Sequence, residues 1–190
     1  KKEFILFIVL VSILIINSNI SPYFLDLYNL IDSTFLFSEK AIIALTMTFV
    51  IIARQIDLSV ASIIAVSSCV LGYTTSLGYD TWLVISLTLL SGALCGAFNG
   101  AIITKFAIPS IIVTIGTMSL FRGLAYSFLE DSYYNKFPKL VSNLGSGYLF
   151  GYIPYAFLTF LLLSLVFAFI LHKTSVGKKM YSIGNNPDAA

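Results

Sequence analysis

The feature that most constrains this chain is a series of apolar stretches of about the length needed to cross a lipid bilayer. A helix needs about 20 apolar residues to span the hydrocarbon layer. Six stretches approach or reach that length, at residues 4–16, 41–53, 58–77, 82–104, 109–129 and 153–171. Hydrophobic residues make up 58% of the chain and charged residues 11%, which leaves too little polar surface to cover a water-soluble globule. The sequence therefore predicts an integral membrane protein.

The stretches are predicted to be helices and not strands of a membrane barrel. Val, Ile and Phe are abundant, but the stretches lack the alternation of apolar and polar residues that barrel strands show. The predicted fold is an all-α, polytopic transmembrane helical bundle. Residues 27–35 place apolar side chains at helical spacing and polar ones opposite, so we expect an amphipathic helix that lies at the outer interface or leads into the second span.

The distribution of basic residues predicts how the chain is oriented. Lys and Arg in short loops stay on the cytoplasmic side of a membrane. With a cytoplasmic N-terminus, seven basic residues fall inside and three fall outside. The seven are Lys1, Lys2, Arg54, Lys105, Lys173, Lys178 and Lys179, and the three are Lys40, Lys136 and Lys139. The sequence therefore predicts a multi-pass protein of the cytoplasmic membrane with its N-terminus in the cytoplasm.

The sequence offers little for catalysis, metal binding or nucleic-acid binding. The single histidine, His172, has no second metal ligand three or four residues away, and no Gly-rich phosphate loop ends in Gly-Lys-Ser/Thr. Cys69 and Cys95 lie in apolar stretches and are interpreted as small core residues. The net charge of +2 gives no basic stripe for a nucleic acid. We predict no catalytic residue, no metal and no cofactor.

A charged break at residues 54–57 separates the second and third apolar stretches. Ionisable groups at membrane depth are costly and mark functional sites by default. In one interpretation Asp57 caps the third span and Arg54 neutralises it. In the other, the break exposes backbone dipoles to a cavity, as in many transporter binding sites. Both interpretations can hold together.

Further polar side chains lie within later spans. Asn99 needs a hydrogen-bond partner in another helix or in a substrate, and the guanidinium of Arg122 either snorkels outward or lines a pathway. Ser110, Thr114 and Thr117 form a hydroxyl stripe on the fifth span. Our hypothesis for the lining of a central polar path is the set Asp57, Asn99, Thr114, Thr117 and Arg122.

A stripe of small residues is predicted to be a helix-packing face. Gly92, Gly96 and Gly100 fall four residues apart on the fourth span. Helices gain no hydrophobic stabilisation from each other in lipid. A stripe without side chains lets two backbones approach closely, so that the helices associate through dispersion contacts.

Three blocks of sequence resemble the signatures of ribose-type permeases of ABC importers, of the branched binding-protein-dependent transport permease family. They are residues 56–62, residues 96–123 with the segments Gly-Ala-Phe-Asn-Gly and Ile-Pro-Ser-Ile-Ile-Val-Thr-Ile-Gly-Thr, and residues 174–190. The chain is most similar to the subgroup for ribose, rhamnose and autoinducer-2. The chain departs from the family at three places: Arg54-Gln55 stands where the family usually has Gly before Ile-Asp-Leu-Ser, Ala61 also replaces a usual Gly, and Lys178 replaces a common Arg.

The resemblance implies a transport subunit and not an enzyme, with ATP hydrolysis on separate partners. It implies two permease copies, identical or related, two ABC ATPase subunits, and an extracytoplasmic sugar-binding protein. Residues 172–190 would form the cytoplasmic ATPase-coupling segment, truncated here, and the six spans would belong to a family fold of about ten. The residues carried over for coupling are Gly177, Lys178, Tyr181, Gly184 and Asn186.

Two alternatives remain open at the level of sequence. An ion-coupled secondary transporter would take up solute in the absence of nucleotide. A membrane assembly subunit without a pathway would copurify with a complex that transports nothing.

Overall fold

The computed structural model describes residues 2–129 and 133–185 of the chain. The helices in these ranges are α1 (Lys2–Ile20), α2 (Leu27–Ile52), α3 (Val60–Ser76), α4 (Thr81–Phe106), α5 (Ser110–Leu129), α6 (Lys139–Ser146), α7 (Tyr155–Lys173) and α8 (Ser175–Asn185). A two-stranded antiparallel hairpin of β1 (Tyr148–Leu149) and β2 (Ile153–Pro154) precedes α7. The prediction of an all-α membrane bundle is confirmed.

Each predicted apolar stretch lies largely within one helix, but the helices differ in their capacity to cross a membrane. By length and composition, α2, α4, α5 and α7 are long and apolar enough to do so, within the described residues. The apolar parts of the other two, Phe4–Ile20 and Val60–Ser76, are shorter. Of the six predicted spans, four are therefore supported by length and composition within the described residues. Most large apolar side chains are exposed in the isolated chain, as expected for surfaces that face lipid or other helices.

The amphipathic segment at residues 27–35 is the first part of the second span. It is continuous with the following apolar stretch in the 26-residue helix α2. The carboxylate of Asp26 caps this helix by accepting a hydrogen bond from Asn29 N at 3.3 Å. Of the two placements that the sequence allowed, the structure has the one in which the segment leads into the span.

Two helix groups position the candidate site. Helix α3 packs against α4 and α5, with a small core of Val66, Cys69, Phe121 and Ala125. Helix α2 packs against α7, where the rings of Phe49 and Phe167 meet edge to face with centroids 4.8 Å apart. The break between α2 and α3 therefore joins the two groups.

The hairpin before α7 is held to the start of α2. Tyr148 donates a hydrogen bond of 2.6 Å to Asp32, and its ring stacks on Phe35. This bond to the carboxylate, followed by desolvation, raises the pKa of Tyr148.

The segment after α7 is largely helical. The structure places α8 directly after α7. Thr174 separates the two helices: its backbone N–H donates to Ile170 O, and its hydroxyl accepts from Gly177 N at 3.4 Å.

Candidate functional site

The candidate site is built around the non-helical residues 53–59 between α2 and α3. Helix α2 ends in a Schellman-type turn, in which Gln55 N donates to Val50 O and Arg54 N donates to Ile51 O. Arg54 takes the left-handed conformation, with φ of 55°, at the turn position where Gly is usual. The chain then runs without helix or strand until α3 begins, so its peptide groups need partners outside a helix.

Helix α5 supplies those partners for one residue of the break. Ile56 N donates to Ser110 Oγ at 3.0 Å, and Thr114 Oγ1 donates to Ile56 O at 3.3 Å. Ser110 and Thr114 lie one turn apart, and both are buried. The two hydroxyls therefore hold both polar groups of a single backbone residue and fix the path of the break against α5.

A chain of hydrogen bonds links the break to α4. Asn99 Nδ2 donates to Ser59 Oγ at 2.8 Å, and Ser59 Oγ donates to Asp57 Oδ1 at 2.6 Å. The same carboxylate oxygen accepts from Ser59 N at 2.8 Å. Asp57 thus orders the entry into α3 through Ser59, the N-cap residue, and its described hydrogen bonds do not involve Arg54.

The carbonyl end of Asn99 is the exception in this network. Asn99 is only 4% exposed, and its Oδ1 is buried with no hydrogen-bond partner among the described residues. A buried acceptor left without a partner costs about 1–3 kcal/mol. Its amide orientation is fixed, because Ser59 Oγ already donates to Asp57 and so must accept from Nδ2. Oδ1 is therefore left with an unused capacity to accept a hydrogen bond.

A cavity of about 270 Å³ opens beside this network, and we call it the hinge cavity. Asp57 is the only charged side chain among its described lining residues. The lining is Phe49, Val50, Ala53, Gln55, Ile56, Asp57, Gly96, Asn99, Gly100, Ile103, Ser110, Thr114 and Met180. A cavity with a carboxylate and an unused carbonyl favours neutral groups that donate hydrogen bonds and disfavours anions.

The structure separates the five predicted pathway residues. Asp57, Asn99 and Thr114 line the hinge cavity. Thr117 is buried one turn further along α5 and donates to Thr114 O at 3.5 Å. Arg122 lies eight residues beyond Thr114, about 12 Å along the helix. It lines a second cavity of about 360 Å³ between α3, α5 and the segment after α5.

The predicted glycine stripe has two different environments. A Cβ added at Gly92 would meet Ser67 Oγ at 3.1 Å, so this glycine lets α4 approach α3 closely. Nothing lies within 4 Å of a Cβ added at Gly96 or Gly100, and both line the hinge cavity. Their role in helix packing stays a prediction.

Two of the predicted coupling residues are buried on α8 and two are exposed. Gly177 and Gly184 are buried, and an added Cβ would overlap the backbone carbonyls of Leu171 and Ile52, respectively. Lys178 and Tyr181 are exposed. Asn186 lies outside the described residues. Helix α8 is thus held against the ends of α7 and α2.

Three residues of the site were absent from the predicted set: Ser59, Ser110 and Met180. Ser110 belongs to the hydroxyl stripe on α5, and its spacing from Thr114 was a usable signal. Ser59 follows Asp57 at the distance of a short polar turn, which was a weaker signal. Nothing in the local sequence of Met180 points to a cavity formed by α2 and α4.

Within the described residues, no group of three or more His, Cys, Asp or Glu side chains is arranged to hold a metal ion. The polar groups of the site are a carboxylate, an amide and hydroxyls at a helix break. Such groups can hold a polar solute through hydrogen bonds.

The membrane helices and the polar break define a polytopic protein of the permease class. Residues 29–190 match the model of a family described as the permease component of a branched-chain amino acid transport system. The chain belongs to this family, whose members are transport components.

Similar proteins include ribose and autoinducer 2 import permeases. The ribose import permease protein RbsC of Haemophilus influenzae is 34% identical over 196 residues, which cover 100% of this chain and 58% of that protein. RbsC of Bacillus subtilis is 36% identical over 97% of this chain and 58% of its own length. The autoinducer 2 import system permease protein LsrD of Klebsiella pneumoniae is 32% identical over 99% of this chain and 58% of its own length. No solved structure matches the chain. The chain spans just under three fifths of the length of these relatives.

Proposed function

We propose that this chain belongs to a transmembrane permease subunit of an ATP-driven ABC importer. Its cargo is a small sugar or sugar-like signal of the ribose, rhamnose or autoinducer-2 class, carried across the cytoplasmic membrane. Similarity to ribose and autoinducer 2 import permeases supports the cargo class. The observation that carries the proposal at the level of the site is the unpartnered, buried Oδ1 of Asn99 beside Asp57.

The lining of the hinge cavity explains how such a solute is accommodated. A sugar hydroxyl donates to Asn99 Oδ1, and a second hydroxyl meets the carboxylate of Asp57. The hydroxyls of Ser110 and Thr114 are already engaged with Ile56, so they hold the cavity wall in place. The path continues along α5 past Thr117 toward Arg122.

The partners in this proposal are those of an ABC importer. A second permease, the same or a related chain, completes the pore, and an extracytoplasmic sugar-binding protein delivers the cargo. With a cytoplasmic N-terminus, α8 faces the cytoplasm and two ATPase subunits dock on it. ATP-driven closure of those subunits moves α8 and rocks the spans around the path.

Uptake by the complete system tests the proposal. The full-length permease is reconstituted with its ATPase and binding protein, and entry of radiolabelled ribose, rhamnose or autoinducer 2 is followed with and without ATP. We expect uptake of one of these only with ATP. Uptake that needs a sodium or proton gradient and no nucleotide would instead establish the secondary transporter. An assembled complex that moves none of them would favour the assembly subunit.

Asn99→Leu tests the role of the site in that system. Leucine keeps the volume but offers no acceptor, so we expect the uptake rate to fall about tenfold or more, as for one lost hydrogen bond to a buried partner. Thr104→Val is the matched control. Thr104 is an exposed residue on the same helix, and its hydroxyl donates to backbone carbonyls of that helix, those of Gly100 and Ala101. Equal uptake by the two variants would remove Asn99 from the path.

A further inference from the structure

One face of α8 is pressed onto the membrane helices. Gly177, Met180 and Gly184 are spaced three and four residues apart, so they share that face. The two glycines bring the backbone of α8 against the carbonyls of Leu171 and Ile52. A side chain at either position would hold α8 away from the bundle.

Met180 lies between these two contacts and reaches the hinge cavity. It is half-buried and is the only residue of α8 among the described lining residues. The cavity wall around it includes Phe49 of α2 and Ile103 of α4. Methionine is unbranched and flexible, so it fills an irregular opening and can leave it without a large rearrangement.

The second contact of α8 connects Met180 mechanically to the break. Gly184 lies against Ile52, which is the last residue of α2, and residues 53–59 follow directly. A displacement of α8 therefore moves Met180 and also the end of the helix that forms the edge of the cavity.

We propose that Met180 is a gating side chain that closes the hinge cavity on the side of α8. When α8 is seated, the thioether covers the cavity that holds Asn99 and Asp57. When α8 moves, Met180 withdraws and the polar groups become accessible from that side. This inference rests on the proposed function, because the function supplies the force on α8.

Thiol labelling of the cavity measures the gate directly. Gly100→Cys places a thiol in the cavity, where an added Cβ meets no atom within 4 Å. Cys69 and Cys95 are first replaced by Ala, so that the new thiol is the reporter. The full-length permease is assembled with its ATPase, and a membrane-impermeant maleimide is added to inside-out vesicles without ATP.

We expect Met180→Ala to raise the labelling rate of Gly100→Cys about fivefold, because the shortened side chain no longer covers the opening. Met180→Trp should lower the rate by a similar factor. Ser182→Ala is the control, since Ser182 is an exposed residue of the same helix and lies outside the cavity lining. It should leave the rate within about twofold of the parent.

Equal rates in the parent, Met180→Ala and Met180→Trp would overturn the gate. If Met180→Ala does not assemble, Met180→Ser provides the same shortening and the same expected increase, and the Trp variant still tests the opposite direction. Labelling from right-side-out vesicles only would overturn the orientation in the proposed function, whatever the ratio between variants.

Discussion

The buried polar chain at the break shows how single residues carry the site. Ser59 is fully buried, and its hydroxyl joins Asn99 of α4 to Asp57 ahead of α3. Inside a bundle, each of these groups stabilises the fold only while its partner is present. The acceptor Oδ1 of Asn99 has no partner among the described residues, and in the proposed function it binds the solute.

Ser59→Ala should therefore destabilise the protein. The amide of Asn99 loses its acceptor, and the carboxylate of Asp57 loses the hydroxyl donor. We expect the free energy of unfolding to fall by about 1–3 kcal/mol, measured by thermal or denaturant unfolding in detergent. Ser86→Ala is the control, because Ser86 is exposed and bonds only to Trp82 O one turn earlier. A loss no larger than that of the control would contradict the network.

At the scale of elements, the contact between α8 and α2 connects the proposed ATPase-docking helix to the break that borders the hinge cavity. Gly184 is buried against the carbonyl of Ile52, and the break begins at the next residue. Helix α8 also packs against α7, but the contact with Ile52 is the one that adjoins the break. The close approach of two backbones makes this contact stiff.

Gly184→Ala should uncouple α8 from α2. The added methyl group overlaps the carbonyl of Ile52, so α8 must shift outward. We expect ATP hydrolysis by the assembled complex to lose most of its stimulation by sugar-loaded binding protein, while unstimulated hydrolysis remains. Ser182→Ala, at an exposed position of the same helix, should retain the stimulation. Full stimulation in Gly184→Ala would show that the contact between Gly184 and Ile52 does not couple sugar delivery to ATP hydrolysis.

The exposed side of α8 makes a second prediction at this scale. Lys178 and Lys179 are neighbouring exposed bases, available to acidic groups on an ATPase subunit. Replacing both with Glu reverses the charge, and we expect sugar-stimulated ATP hydrolysis to fall together with recovery of the ATPase during copurification. Replacing both with Gln separates loss of charge from repulsion and should have a smaller effect. Unchanged copurification would place ATPase docking elsewhere.

For the whole molecule, the orientation of the bundle decides whether the mechanism can work. The proposed topology places Lys178 in the cytoplasm and Lys136, in the segment before α6, outside. Single Cys substitutions at these two positions in a chain without native cysteines should react with an impermeant reagent from opposite sides of the membrane. Reaction of both from one side would overturn the topology and the coupling built on it.

Much of the architecture was readable from sequence because it depends on local pattern. Long apolar stretches predict helices in lipid, and the all-α prediction is confirmed. The three blocks of motifs predicted the family, which the family match confirms. The charged break at residues 54–57 also followed from composition, because a polar segment between two apolar ones interrupts the helix.

Tertiary structure decided which of the polar residues meet. Ser110 is 54 residues from Ile56, and Asn99 is 40 residues from Ser59, so local spacing could not pair them. Helical rise separated Arg122 from Thr114, although both lie on one helix and both were assigned to one path. The position of α8 on the bundle depended on the bare backbone at Gly184 meeting the carbonyl of Ile52, which is 132 residues earlier in the chain. The sequence by itself determined which segments are apolar helices, because hydropathy is a property of each residue. The folded chain decided where a cavity forms and which side chains line it, because those depend on contacts between segments far apart in sequence.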